Sequence, residues 1–502
     1  MNTQGSTPRN PLENLSTGAT PTAHGVPRYS YYALLILSLV NFLNYIDRQI
    51  LPAVAPLMLK DPEHGGLGLT DAELGYMEAA LLLSFTVLAP LFGRLGDRYP
   101  RARIMAAAAV VWSIATAFTG FADRLTFMPS GLRLEVPLVG ITLALSGVAL
   151  TLCCIRAFVG IGESAYSTIT PSLIADYFPP ERRATALGVF QAAIPMGFAL
   201  GFVIGGVLAY YFGWRAAFMI VGIPGLLTAV LVWRLREPAR GATDAPAPHP
   251  DTMLEEIAGA PAETSRALAE AGKRETTLHS IWNILKTRDW IISTAGYTAL
   301  TFALGAMATW ATVLMERDKG MSATGAAVTL GVVSLVAGAT GTFGGGWLAD
   351  RVKARRHNAY FLVCAVSTLL GIVPTLAVLV ADDQRVFLPA IFFAVMLLFV
   401  SNAPFHAILL ESVPVHVRAM AVALNIVIIH TFGDAISRAL VGVLSESLKG
   451  GHFSTLAALA QSVGIDSSRQ HLSTALLIVP VALGISTLLF FIGARAQKRD
   501  EI

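Results

Sequence analysis

The 502-residue sequence predicts an all-α membrane protein of twelve transmembrane helices in two six-helix lobes. Three observations carry that expectation. Hydrophobic residues form 54% of the chain, charged residues only 14%, and mean hydropathy is +0.61. A soluble chain carries about a quarter charged residues. Apolar stretches long enough to span, about 20 residues each, recur along the chain. Two short motifs also occur twice, in the same order, once in each half.

Residues 1–28 are rich in Thr, Pro, Asn and Gly and hold no apolar run. They read as a disordered cytoplasmic tail, not a cleavable signal. The N-terminal lobe, 29–236, has spans at about 30–58, 72–96, 103–121, 138–177, 183–210 and 214–235. Residues 237–286 are polar and Ala/Pro-rich and read as a cytoplasmic linker. Near the linker's end Leu278, Ile281, Trp282 and Leu285 share one helical face, the mark of a helix lying in the membrane interface. The C-terminal lobe, 287–497, has spans at about 288–315, 323–349, 358–381, 386–412, 417–446 and 471–496, followed by a 498–502 tail. The runs are continuous and do not alternate, which excludes an outer-membrane barrel.

Lysine and arginine set the orientation. With the N-terminus inside, inner segments hold 24 basic residues, outer segments nine, and the spans three: Arg48, Arg156 and Arg438. Both termini are therefore expected in the cytoplasm of a bacterial inner-membrane protein. Net charge is +3, too balanced for binding nucleic acid by bulk charge. Cys153, Cys154 and Cys364 supply no disulfide framework. There is no P-loop, no His-Glu-x-x-His and no nucleophile elbow, so no enzyme is expected.

Gly93-Arg94-Leu95-Gly96-Asp97-Arg98 recurs as Gly346-Trp347-Leu348-Ala349-Asp350-Arg351, each after the second span of its half. Pro179-x-x-x-Arg183-Ala184-x-Ala186 recurs as Pro414-x-x-x-Arg418-Ala419-x-Ala421, each after the fourth. Matched marks in matched order point to parallel repeats around a central pathway, a transporter architecture. Gly93, Asp97, Arg98, Arg101, Asp350 and Arg351 are the expected inner gate, with Asp97 able to pair with a cation when the inner side closes.

An ionisable group at mid-bilayer costs roughly 2.5 kcal/mol or more. Asp47 and Arg48 in span 1, Arg156 and Glu163 in span 4, and His430, Asp434 and Arg438 in span 11 all fall in one slab by helical rise. Either each acid neutralises a nearby arginine and binds helices together, or a titratable acid stands beside a cation that engages an anionic headgroup. His430 and Asp434 at i, i+4 are half of a metal site at most, and no metal is expected. Asn44, Tyr45, Tyr297, Thr301 and Asn402 are expected to line the cavity with the span 11 group. Gly197, Gly201 and Gly205 are expected to admit a neighbouring helix.

The Gly93–Arg103 stretch resembles the loop signature of the major facilitator superfamily. Asn41-Phe42-Leu43-Asn44-Tyr45-Ile46-Asp47-Arg48, the run from Arg156 through Gly160, Gly162, Glu163 and Tyr166 to Pro171, Tyr297-Thr-Ala-Leu-Thr-Phe and His430-Thr-Phe-Gly433-Asp434 narrow the resemblance to spinster-like lipid transporters. That resemblance covers about residues 30–497. It implies that Asp47 and Glu163 are proton-coupling or gating acids with Arg48 and Arg156 in their network. It also implies an amphiphilic anion as substrate, of lysophospholipid or sphingoid-phosphate type. The expected cargo system is then a monomer in contact with membrane lipids, with no cofactor and the proton as coupling ion. A small organic-anion/proton symporter is the alternative. From the residues themselves, an anionic head meets Arg48 or Arg156, and an acyl chain lies near Phe42, Phe302 and Met307.

Overall fold

The computed structural model describes residues 26–124, 128, 131–136, 141–243, 277–414 and 417–499. The two tails outside that range, and the greater part of the linker, lie outside the described residues. Spans 1 to 4 are the helices Arg28–Met58, Asp71–Arg98, Arg101–Thr119 and Gly147–Tyr177. Spans 5 and 6 occupy Pro180–Trp233 and turn at Gly213, whose φ of 81° lies in the region glycine enters without steric cost. Spans 7, 8 and 9 are Arg288–Arg317, Ala323–Lys353 and Ala359–Val380. Span 10 is broken at Ser401 into Gln384–Val400 and Asn402–Glu411. Span 11 runs as Arg418–Ile428 and Ile436–Lys449 with a π-helical segment, Ile429–Ala435, between them. Span 12 is His471–Ala475 and Ile478–Arg499.

The fourth span begins later than its apolar run. Residues 138–146 were expected inside it, but Ile141–Leu145 pairs antiparallel with Leu132–Val136, in a register that sets Leu132 opposite Leu145. The helix starts only at Ser146, whose Oγ accepts from Ala149 N at 3.1 Å. A chain expected to be all helix thus carries one small hairpin in its first long outer connection. Helix starts elsewhere are equally local. Thr70 and Glu73 form a reciprocal cap on span 2, with Glu73 Oε2 accepting from Thr70 N at 2.9 Å. Glu73 Oε1 also accepts from Ser146 N at 2.7 Å, tying the starts of spans 2 and 4 together.

Within the first lobe, span 1 packs on span 5, span 2 on span 4, and span 3 on spans 4 and 6. The glycine stripe does what its spacing suggests. A Cβ at Gly201 would stand 2.7 Å from Ile46 O and 2.8 Å from Gln49 Cβ, so spans 1 and 5 meet there backbone to backbone. Gly201→Leu is therefore expected to lower stability by about 1–3 kcal/mol through overpacking. Thermal unfolding in detergent checks it, and an unchanged midpoint would contradict the close packing.

The lobes meet mainly through spans 2 with 11, 5 with 8, and 1 with 7. The inter-lobe bonds named here sit in the half of the membrane away from the face where spans 1 and 12 carry the termini; we call that the distal half. Arg317 Nη1 and Nη2 each reach an Asp71 carboxylate oxygen at 2.9 Å. Lys449 Nζ is 3.1 Å from Asp71, and Ser445 Oγ donates to it at 2.7 Å. Lys60 pairs with Glu316 at 3.2 Å nearer the surface. The distal side is closed in this arrangement.

The short helix Thr277–Ile284 lies beside the start of span 11, with Ile284 buried and Trp282 exposed. Lys286 stands over the Trp282 ring at 5.1 Å.

Candidate functional site

The buried charges expected from the sequence come together at the middle of the molecule, with partners that spacing alone did not disclose. Span 1 turns Arg48 toward span 4, where its Nε donates to Glu163 Oε2 at 3.0 Å and its Nη2 makes a second bond to the same oxygen. Aromatic faces flank the guanidinium: Tyr45 and Phe85 each lie 5.2 Å from it. Phe85 also meets His430 edge-on at 6.2 Å, so one ring joins Arg48 of the first lobe to His430 of the second.

Asp47 points to the other side of span 1. Its Oδ2 accepts from Thr116 Oγ1 of span 3 at 2.6 Å, and its Oδ1 has no partner among the described residues. No arginine forms an ion pair with it among the described residues. Arg156 forms no ion pair with Glu163 among the described residues. It reaches across to Glu78 of span 2, Nη2 to Oε1 at 3.0 Å. Beyond the π-helical segment, Arg438 Nη1 binds Glu78 Oε2 from the opposite lobe. Its carbonyl accepts from Trp310 Nε1 at 3.1 Å. His430 Nδ1 and Asp434 Oδ2, 2.8 Å apart, pair with each other.

The charge count of this cluster is uneven. Arg48, Arg156 and Arg438 face four acids, Asp47, Glu78, Glu163 and Asp434, with His430 on the last. Asp47 is the acid a proton can neutralise without breaking an ion pair.

Glu78 was not among the sequence candidates, nor were Asp71, Arg317, Lys449 and Thr116. Glu78 carried a signal: it is an acid inside the apolar run of span 2, seven residues beyond Asp71. The rest are identified only by what they touch.

The expected cavity residues divide. Thr301 is buried against span 11, with Oγ1 donating to Thr298 O at 3.0 Å, and it borders an internal space. Tyr297 donates to Asn402 Oδ1 at 3.1 Å and stacks on Phe405 at 3.6 Å, so those two brace spans 7 and 10 at the break in span 10. Asn44 departs from expectation: it is fully buried, and neither amide atom has a partner among the described residues.

A cavity of about 230 Å³ runs through the second lobe between spans 7, 8, 9 and 10, with Phe198 of span 5 on its wall. Met307, Leu330, Val378 and Leu398 line it, and so do Asp434 and Arg438. Met307 is where an acyl chain was expected. Phe302 is not: it borders a separate groove with Ile478 and Val481. Phe42 packs against the core.

At the terminal face, the signature turns are held within their own lobes. Gly96 lets span 4 in closely, since a Cβ there would stand 2.9 Å from Ile169 Cγ1, while Gly93 faces Thr168. Arg101 is buried between Asp176, at 2.6 Å, and Glu237, at 2.8 Å, which makes it a tie inside the lobe and not a cross-lobe contact. Arg98 is exposed. Asp350 accepts from Tyr360 OH at 3.2 Å, and Arg351 covers the Trp347 ring at 5.5 Å. The Asp97 side chain is 83% exposed, with Arg240 of the linker 3.9 Å away. Asp97→Asn is expected to raise cysteine labelling from the terminal face by favouring the state open on that side. Unchanged labelling would reduce the motif to a structural turn.

Residues 37–437 match the Major Facilitator Superfamily. Protein spinster homolog 3 of Danio rerio is 30% identical over 436 residues, covering 84% of this chain and 78% of the relative. The chain belongs to the spinster group of the Major Facilitator Superfamily. A probable sphingolipid transporter, spinster homolog 1 of Arabidopsis thaliana, is 26% identical to this spinster-like chain over 439 residues, or 84% of each. The fold agrees with a crystal structure of a bacterial homolog to the human lysosomal transporter spinster, in an inward-facing and unoccupied conformation. That match has a TM-score of 0.74 at 21% identity and covers 95% of this chain and 99% of the other. A D-xylose–proton symporter shares the fold more distantly, with a TM-score of 0.62 at 18% identity over 90% and 97% of the two chains. This spinster-like chain is therefore a multi-pass integral membrane transporter.

Proposed function

We propose that this spinster-like transporter carries an amphiphilic anion, of lysophospholipid or sphingoid-phosphate type, by alternating access coupled to protons. It acts as a monomer in the bacterial inner membrane with both termini in the cytoplasm, the side favoured by the 24-to-nine bias of basic residues. The observation that carries the reading is the cavity in the second lobe. Its lining is largely apolar and includes Arg438, a polarity that suits one acyl chain with an anionic head. The name of the Arabidopsis relative points the same way.

The roles follow from the contacts. Arg438 and Arg156 meet the head. Asp47 takes the proton, because neutralising it breaks no ion pair. Arg48 and Glu163 hold spans 1 and 4 together until rearrangement separates them. Asp71, with Arg317 and Lys449, seals the distal side while the other side is open.

Purified protein in liposomes tests the substrate. Fluorescent lysophosphatidic acid is expected to move in protein-containing liposomes at least tenfold faster than in empty ones, while a small dicarboxylate does not move. Movement of the dicarboxylate alone would favour the small organic-anion symporter.

A further inference from the structure

Glu78 stands where a ligand's negative charge belongs. Its two oxygens are divided between the lobes, Oε1 to Arg156 of span 4 and Oε2 to Arg438 of span 11. One carboxylate thus serves two guanidinium groups with five N–H donors each. Arg156 Nε and Nη1 and Arg438 Nε have no partner among the described residues, although the Arg156 side chain is 0% exposed and the Arg438 side chain 8%. Buried N–H groups left unpaired are costly, and charged ones more so. The three donors call for an anion with more acceptor atoms than a carboxylate has. Arg438 also lines the largely apolar cavity of the second lobe, so a headgroup whose acyl chain occupies that cavity comes within its reach.

We propose that Glu78 is a built-in competitor for the headgroup. A phosphate monoester displaces it from Arg438 and Arg156, and in doing so removes the ion pair that joins span 2 to span 11. The inference rests on the amphiphilic-anion reading and adds two things to it, a headgroup preference and a trigger. The preference follows from charge and valence. A carboxylate amphiphile can only repeat the contacts Glu78 already makes. A phosphate monoester brings up to two charges and three acceptor oxygens, and arginine binds it bidentately. The trigger follows from position. A Cβ at Gly75 would stand 2.6 Å from the Arg438 carbonyl, so spans 2 and 11 touch one turn from the Glu78–Arg438 pair. Asp71, at the distal end of the same helix, holds Arg317 and Lys449 of the other lobe. Loss of the inner of these two links leaves the distal closure on Asp71 and its surface neighbours.

The test is binding of n-dodecyl phosphate and of dodecanoate to the full chain in detergent, combined with a spin-label distance between Glu63 and Arg469. Both labelled positions are exposed, on opposite lobes of the distal face. The wild type is expected to bind the phosphate at least tenfold more tightly than the carboxylate, and to lengthen the label distance when it does. Glu78→Gln removes the competitor: it should bind dodecyl phosphate about tenfold more tightly than wild type and populate the longer distance without ligand. Equal or weaker binding by Glu78→Gln would overturn the proposal. Should that variant not fold, Arg438→Gln alone removes one guanidinium and leaves the buried Glu78–Arg156 ion pair in place. It is expected to bind dodecyl phosphate at least tenfold more weakly than wild type, and wild-type affinity would overturn the proposal. A wild type that binds neither amphiphile defeats the amphiphile reading and this inference with it. Wild-type binding with no gain in Glu78→Gln defeats this inference alone.

Discussion

Asp47→Asn is expected to keep the fold and to abolish the pH dependence of transport between pH 5.5 and 8. The asparagine carbonyl can still accept from Thr116 Oγ1, the one bond Asp47 makes, and no ion pair is lost. What disappears is the carboxylate of the cluster that pairs with neither an arginine nor a histidine among the described residues. Glu163→Gln is expected to flatten the pH profile too, but at a cost in stability. Arg48 is buried and paired with Glu163, and removing one partner of a buried ion pair costs about 3–5 kcal/mol. The two acids therefore differ in a way a melting curve reads directly: the first variant melts near the wild-type temperature and the second well below it. Wild-type pH profiles in both variants would make these acids helix-binding groups and nothing more.

Asp71→Ala is expected to open the distal side. One carboxylate there holds both Arg317 nitrogens, Lys449 and Ser445, all from the other lobe. Its loss removes these contacts from the closed state; Arg317 and Lys449 are each about a third exposed and Lys449 keeps Glu446 at 3.0 Å, so the loss is about 1–3 kcal/mol. Moving a two-state equilibrium from 1:99 to 99:1 takes about 5.5 kcal/mol, so the substitution accounts for part of a full switch. Spin labels at Glu63 and Arg469 should show a raised population of longer distances in the ligand-free variant. An unchanged distance would mean that packing of span 5 on span 8 closes the distal side without help from charge.

The lobes and spans were legible because each span is a long apolar run, and because the repeated Gly-x-x-x-Asp-Arg turn marks the same end of spans 2 and 8. The spacing of Gly197, Gly201 and Gly205 announced a close helix contact, and span 1 fills it. Three features were hidden for identifiable reasons. The strand Ile141–Leu145 is as apolar as the helix after it, so hydropathy alone merged the two. The π-helical turn at Ile429–Ala435 interrupts span 11 without a mark in its residues, and Arg438 just beyond it pairs with Glu78 of the other lobe. Such turns collect at functional positions. The pairing of Arg156 follows from the packing of span 2 on span 4, a tertiary fact with no local signature. Of the site, the sequence displayed most of the buried charges and left their pairing to the fold. Glu78, which joins Arg156 to Arg438, was legible as an acid inside an apolar run and was overlooked all the same.

Proton movement measured together with lysolipid movement tests the central claim most directly. Liposomes holding the purified transporter and a trapped pH-sensitive dye receive lysophosphatidic acid under an imposed pH gradient. The wild type is expected to change the internal pH as the lysolipid moves, and Asp47→Asn to leave it flat. Lysolipid transport by the wild type with no accompanying pH change, or an equal pH change in Asp47→Asn, would contradict the account.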